Sequence, residues 1–212
     1  MKKIFVVYVL VYFLLGCSST KTIKQNQLKQ ADLLFVVAKN QDISAAINRV
    51  TKQAEDDNFD HVVLVEHTSE GVYVLHASSK KGTIRESLQE FLVGVQGQRV
   101  VVYRVRGFQD ENQQKKVIDK AHSMLGLPYN FSYVLDDECL YCSDFIERCF
   151  REFAVFEHIP MNFKNPKTGQ IDDFWKEFYE KYQIDVPQDK PGTNPNQLSR
   201  SEKLEKIGQF SY

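Results

Sequence analysis

Three side chains in this sequence could together carry out acyl transfer: the thiol of Cys142 and the imidazoles of His61 and His76. In such chemistry a thiolate attacks a carbonyl carbon, a histidine accepts and returns the proton, and a third polar group holds that histidine in place. We therefore assign Cys142 as nucleophile, His61 as general base and His76 as the residue that orients His61. Each residue taken singly is also compatible with a packing role, so the assignment depends on the fold.

The thiol of Cys142 lies at the start of a predicted helix over residues 143–156. The helix is predicted because apolar side chains recur on one of its faces, namely Phe145, Ile146, Cys149, Phe150 and Phe153. At a helix N-terminus the free backbone N–H groups and the helix dipole favour a thiolate. The N–H of Cys142 could also stabilise an oxyanion.

The two histidines belong to a predicted β-hairpin. The β-branched runs His61–Glu66 and Val72–Ala77 flank a loop composition, His-Thr-Ser-Glu-Gly. If residues 67–70 form the loop, His61 lies directly opposite His76, on a face that is otherwise apolar and is expected to face the core. A slip of one residue would separate the two imidazoles.

The remaining pattern predicts one α+β domain, a small antiparallel sheet packed against helices. Further strands are predicted over 32–37 and 100–105, helices over 42–57, 84–92, 110–125 and 172–182, and a last helical turn over 201–207.

The N-terminus has the pattern of an export signal. Lys2 and Lys3 precede an apolar run over residues 4–15, which is too short to cross a bilayer as a helix. The sequence Leu-Leu-Gly-Cys17 that ends this region resembles a bacterial lipobox, in which the cysteine carries a lipid. We therefore predict a signal peptide over 1–16, a flexible tether over 17–30 and a domain over 31–212. An uncut signal anchor is the alternative.

Composition and charge limit the partners. Hydrophobic residues at 42% and charged residues at 26% are typical of a globular protein. The formal net charge is -1, and the basic residues are interspersed with acidic ones. We therefore expect no nucleic-acid partner.

Four segments occur in the order found in one family: 59–65, 73–77, 126–129 and 141–143. In them the chain resembles the permuted papain-like amidases of the YiiX and YaeF type, relatives of NlpC-type cell-wall peptidases in which circular permutation places the histidine before the cysteine. The resemblance implies a permuted papain-like fold and cysteine amidase or peptidase activity. Tyr129 matches a family tyrosine that lines the cleft, and with Tyr141 it is expected to contact the substrate.

Two positions differ from the family pattern. Family members usually have Gly where this chain has Val63, and often Glu where it has His76. An imidazole brings no fixed negative charge to His61, so activation of the base could be weaker.

These features leave several functions open. The leading prediction is an envelope-anchored cysteine hydrolase that cleaves an amide, with peptidoglycan fragments as the first substrate class. The alternatives are a lipid acyl hydrolase or acyltransferase of the lecithin retinol acyltransferase-like type, and a catalytically silent binding lipoprotein. The expected location is the bacterial cell envelope, with the lipid on Cys17 in the membrane.

A second cysteine, Cys139, forms a Cys-x-x-Cys spacing with Cys142, and this spacing allows other interpretations of the site. It could supply a redox pair or two zinc ligands, but a structural zinc site needs a second pair, for which only Cys149 and His158 are near in sequence. We expect neither metal nor cofactor. A disulfide from Cys139 to Cys142 or to Cys149 stays open.

Overall fold

The computed structural model describes residues 21–39, 42–51 and 57–212. Cys17 and the predicted signal peptide lie outside the described residues. The strands are β1 (Thr22–Ile23), β2 (Leu33–Val37), β3 (Phe59–Thr68), β4 (Gly71–Ser78), β5 (Gly82–Ser87), β6 (Val100–Val105), β7 (Ile159–Pro160), β8 (Pro191–Gly192) and β9 (Leu204–Phe210). The helices are α1 (Asp42–Thr51), α2 (Leu88–Gly94), α3 (Glu111–Ser123), α4 (Cys142–Phe150), α5 (Asp173–Lys181) and α6 (Pro195–Leu198).

A seven-stranded sheet in the order β1-β9-β6-β2-β3-β4-β5 forms the centre of the fold. Its neighbouring strands run antiparallel, except that β1 is parallel to β9. Strands β7 and β8 form a separate short pair. The predicted α+β class, with an antiparallel sheet packed against helices, is confirmed.

Both faces of the sheet are covered. Side chains of α3 and α4 pack on one face, where they meet Val62 and Leu64 of β3. Phe91 of α2 packs on the other face, where it joins the cluster that contains Val63 and Val65. Because alternate residues of β3 enter different cores, the run from Val62 to Val65 is continuously buried.

The helix predictions succeed where a cap marks the start. Asp110 caps α3 by accepting a hydrogen bond from the backbone N–H of Gln113, and Asp172 caps α5 by accepting one from the backbone N–H of Phe174.

Two predictions of secondary structure were wrong. The first half of the predicted 84–92 helix is strand β5, since Ser87 and Glu90 form a capping box that starts α2 only at Leu88.

The last predicted helical turn, over residues 201–207, is also wrong, because this segment begins strand β9. The strand inserts between β6 and β1, so its conformation is determined by pairing with distant residues. Part of the predicted tether, from residue 22 onward, belongs to the fold for the same reason. Thr22–Ile23 pairs with β9, and Ile23 and Leu28 are buried, so the fold begins before residue 31.

A third apolar cluster lies beside the main sheet and is rich in aromatic side chains. It joins α1 to α5 through Ala46, Met161, Phe163, Trp175 and Tyr179. Within the described residues, no helix combines the length and the apolar character that a membrane span needs.

Candidate active site

Cys142 is the first residue of α4, as the sequence predicts for its helix-start position. Tyr141 precedes it in extended backbone conformation, and its carbonyl accepts the hydrogen bond from the N–H of Phe145. Phe145 and Ile146 pack the helix into the sheet core. The apolar face of α4 therefore fixes Cys142 at the edge of the core, where its thiol is almost fully buried.

Burial dominates the acidity of this thiol. Together with the negative charge of Asp60, it raises the pKa of Cys142 to about 12. Backbone hydrogen bonds at Ser143, Val62 and Cys142 itself oppose both effects. In the absence of a ligand, Cys142 is therefore a neutral thiol at physiological pH.

A cavity of about 60 Å³ opens at Cys142. Residues of α1, β3, α4, α5 and α6 and of three loops line it. These residues are Ile47, Val50, Thr51, Asp60, Tyr129, Tyr133, Tyr141, Ser143, Met161, Asn162, Phe163, Trp175, Thr193, Asn194 and Pro195. The lining is mostly apolar or aromatic, and among these residues Asp60 alone is acidic or basic.

Asp60 was not among the predicted site residues. A β-bulge in β3 leaves it as the extra residue, because Phe59 pairs with Val37 and His61 pairs with Val36. The Asp60 carboxylate accepts hydrogen bonds from the Ser44 side chain and the Lys39 backbone. Burial has the larger effect and raises the pKa of Asp60 above its usual range. An acidic residue within an apolar strand was the available signal.

The two predicted tyrosines both line the cavity with Cys142. Tyr129 is hydrogen bonded to the side chain of Tyr133, and burial raises its pKa well above the ordinary value. The Tyr141 hydroxyl accepts a hydrogen bond from the backbone N–H of Thr193, at 3.1 Å. This bond ties the residue before Cys142 to the loop after β8. Contact of either tyrosine with substrate stays a prediction.

His61 and His76 form the predicted pair. His61 Nε2 lies 2.8 Å from His76 Nδ1, and His76 Nε2 lies 3.1 Å from Glu86 Oε1. Since the Glu86 carboxylate accepts, His76 Nε2 carries the hydrogen, and its Nδ1 then accepts from His61 when both rings are neutral. Burial and the adjacent His76 together lower the pKa of His61 to about 3, although the charge of Glu86 opposes them.

The predicted register of the hairpin needs correction, although the pair forms. Glu66 pairs with Tyr73 and not with Gly71, a shift of two residues along β4. A shift of two preserves the face on which each side chain lies, so His61 and His76 meet diagonally.

The predicted trio is not assembled. His61 pairs with Val36, and both histidine rings contact Phe91 of α2, on the face that carries Val63. Cys142 packs on the other face, with Val62. The two histidines therefore lie across the sheet from Cys142, and the predicted contact between His61 and the thiol is absent. Their catalytic roles are not supported by this geometry.

The described residues offer one cluster with metal-ligand chemistry: Asp144, Glu147 and His158, with one candidate ligand atom from each within 4.8 Å of the others. Arg148 already binds Asp144, and Arg151 binds both oxygens of Glu147. A divalent cation would have to displace these guanidinium groups, so the cluster does not fit a tightly bound metal. Cys139, Cys142 and Cys149 are free thiols.

Residues 27–208 match the model of the family described as permuted papain-like amidase enzyme, YaeF/YiiX, C92 family. Among solved structures, the chain is similar to the metalloprotein YiiX of Escherichia coli O157:H7, with a TM-score of 0.71 and 22% sequence identity. The alignment covers 85% of this chain and 97% of that chain, and it shows the permuted papain-like fold. No curated protein is significantly similar in sequence. The family match covers most of the chain, so the protein belongs to the permuted papain-like cysteine amidases of the YaeF/YiiX family.

Proposed function

We propose that this protein hydrolyses a peptide-type amide, with Cys142 as nucleophile and Asp60 as the group that accepts the thiol proton. One observation carries the proposal: Cys142 begins a helix at a cavity in which Asp60 is the one acidic or basic residue among the described lining residues. Free N–H groups at the start of α4 are available to an oxyanion. Family membership supports the reaction class.

The raised pKa values of both groups constrain the mechanism. Because the Cys142 thiolate does not accumulate, proton transfer from Sγ to the Asp60 carboxylate accompanies the formation of the S–C bond. The carbonyl oxygen becomes an oxyanion near the N-terminus of α4. Collapse of this intermediate breaks the C–N bond, and protonated Asp60 returns its proton to the leaving amine.

Water completes the reaction. Asp60, again a carboxylate, takes a proton from the water molecule that attacks the thioester carbonyl. The acid product leaves with the water oxygen, and the proton held by Asp60 returns to the sulfur of Cys142. The buried environment of Asp60 supports this cycle, because a raised pKa makes the carboxylate a stronger base than an exposed aspartate.

An acyl-enzyme on Cys142 is the intermediate to look for. Incubation with an amide that has an activated leaving group should add the acyl mass to the peptide that contains Cys142, as detected by mass spectrometry after rapid acid quench. Cys149 serves as an internal control, because it is a fully buried thiol of α4 that does not line this cavity. Acyl mass on neither cysteine, together with no release of the amine, would contradict the proposal.

A binding protein without catalysis is the second candidate. It is favoured by the high pKa of Cys142 and by the position of the histidines across the sheet. The two functions differ in product release, because a binding protein would retain the intact amide. Detection of free acid and free amine in stoichiometric excess over protein decides for the enzyme.

The proposal includes a place in the bacterial cell envelope, with a lipid on Cys17. It is supported by the apolar run over 4–15 and the Leu-Leu-Gly-Cys sequence. We expect Cys17→Ser to move the protein from the membrane fraction to the soluble or unprocessed fraction and to abolish incorporation of labelled fatty acid. Cys139→Ser, which leaves the N-terminal pattern intact, is the matched control. Unchanged labelling of Cys17→Ser would exclude this anchor.

A further inference from the structure

The cavity at Cys142 is built for an apolar group. Ile47 and Val50 of α1 line it together with Met161, Phe163 and Trp175. The same aromatic cluster joins α1 to α5, so the wall is part of a packed core. An apolar substituent that enters this space loses contact with water and gains contact with these side chains.

Charge in the lining argues against an anionic ligand. The cavity residues within the described ranges include Asp60 and no Lys, Arg or His. A carboxylate of a cell-wall peptide would lose its hydration here without a cationic partner and would be repelled by Asp60. The lining therefore favours an uncharged substrate group.

Among the residues that the structure describes, three polar atoms of the cavity lining find no hydrogen-bond partner. They are Nε1 of Trp175, Oγ1 of Thr193 and Oγ of Ser143, and all three residues are at most 4% exposed. Buried polar atoms without partners are uncommon in folded proteins, because each has lost its hydration. A neutral ligand that accepts from the Trp175 indole N–H and exchanges hydrogen bonds with the hydroxyls would restore those interactions.

The volume limits the size of the group. The space measures about 60 Å³, whereas a cavity of about 150 Å³ binds benzene. A compact branched or short acyl group therefore suits it better than a bulky one. Most of a long acyl chain would lie outside this space.

We infer that the substrate is an uncharged amide with a compact apolar acyl group, whose amide is recognised by Trp175, Thr193 and Ser143. The inference rests on the proposed amidase function for the site, but recognition can be measured without turnover. Trp175 and Thr193 are then specificity-determining residues, which act on binding of the acyl amide and not on the acidity of Cys142.

The test compares four amides of 7-amino-4-methylcoumarin: acetyl, 3-methylbutanoyl, dodecanoyl and γ-D-glutamyl. Equilibrium binding is measured on the full-length Cys142→Ser protein, and kcat/KM on the wild type. We expect the 3-methylbutanoyl amide to bind on the order of tenfold more tightly than the acetyl amide, from the additional buried apolar groups. We expect it also to exceed the dodecanoyl and γ-D-glutamyl amides. Equal binding of all four, or preference for the dodecanoyl or γ-D-glutamyl amide, overturns the inference.

Two conservative variants test the hydrogen bonds in the Cys142→Ser background. Trp175→Phe keeps an aromatic ring but removes the N–H, and Thr193→Val keeps the shape but removes the hydroxyl. Each should weaken binding of the 3-methylbutanoyl amide about fivefold, measured well below the thermal midpoint of each variant. The midpoint itself should fall in Trp175→Phe, because the smaller ring loses packing in the aromatic cluster. Thr22→Val is the matched control, because Thr22 is the exposed residue of β1.

The outcomes separate the two proposals. Selective binding without turnover by the wild type supports the ligand class and contradicts the amidase proposal. Turnover with no preference among the acyl groups supports the amidase and contradicts the ligand class. Unchanged binding in both Trp175→Phe and Thr193→Val overturns their assignment as recognition residues.

Discussion

Asp60→Asn should lower kcat/KM for amide hydrolysis by about 10²-fold and, at the same pH, speed the alkylation of Cys142 by iodoacetamide. The two effects have opposite signs because Asp60 acts on Cys142 in two ways. As a base it is required to take the thiol proton during attack. As a negative charge it raises the pKa of Cys142 and so reduces the thiolate that reacts with iodoacetamide.

The pKa of Cys142 also determines how the rate of its alkylation depends on pH. The pKa of Cys142 is about 12, so the alkylation rate of the wild type should rise about tenfold per pH unit through the alkaline range below that pKa. Removal of the Asp60 charge moves this curve to lower pH. Quenching the alkylation at successive times and quantifying the modified peptides by mass spectrometry measures the rate at Cys142 alone. The rate at the buried Cys149 serves as the comparison.

His61→Gln supplies the control for the catalytic assignment. The ring lies across the sheet from Cys142, so its replacement should leave kcat/KM near the wild-type value. If Asp60→Asn acts by disturbing the structure, both the activity and the thermal midpoint should fall. If it only removes the base, the activity should fall while the thermal midpoint stays near that of the wild type. If His61→Gln abolishes hydrolysis while Asp60→Asn retains it, the assignment of the base to Asp60 is wrong.

The face of the sheet that α4 covers could not be predicted from the residues of β3 alone. Periodicity shows which side chains share a face, and on that basis His61 and His76 were correctly expected to meet. It does not show which helix lies on which face when both faces are covered. The unbroken apolar run over residues 62–65 is typical of a strand that is buried on both faces, but a single core that received both α4 and the histidines was predicted.

Local signals predicted the capped helices and the start of α4, because a cap or an amphipathic face is determined by residues near in sequence. Non-local pairing accounts for the errors. Residues 204–210 form a strand because β6 and β1 flank them, and β1 is too short to recognise from its own composition. Asp60 was missed for a related reason, since the bulge that accompanies it depends on pairing with β2.

A buried ion pair between β2 and β6 gives the largest expected effect on stability. Asp32 at the start of β2 is fully buried, and its carboxylate accepts hydrogen bonds from Nε and Nη2 of Arg104, at 2.6 and 2.8 Å. It also accepts from the backbone N–H of Lys29, at 2.8 Å. Asp32→Ala leaves the guanidinium and this N–H without their partner. We expect the free energy of unfolding to fall by about 3 kcal/mol.

Urea unfolding at constant pH measures the change, with the slope m as a check that the unfolded state is unaltered. Asp119→Ala is the matched control, because Asp119 pairs with Lys115 on exposed α3 and should change stability by about 0.5 kcal/mol or less. An equal decrease in the free energy of unfolding in the two variants would show that the buried Asp32 pair stabilises the fold no more than an exposed pair does. Asp32 and Arg104 do not line the cavity at Cys142, so Asp32→Ala should reduce activity only at urea concentrations where the protein unfolds.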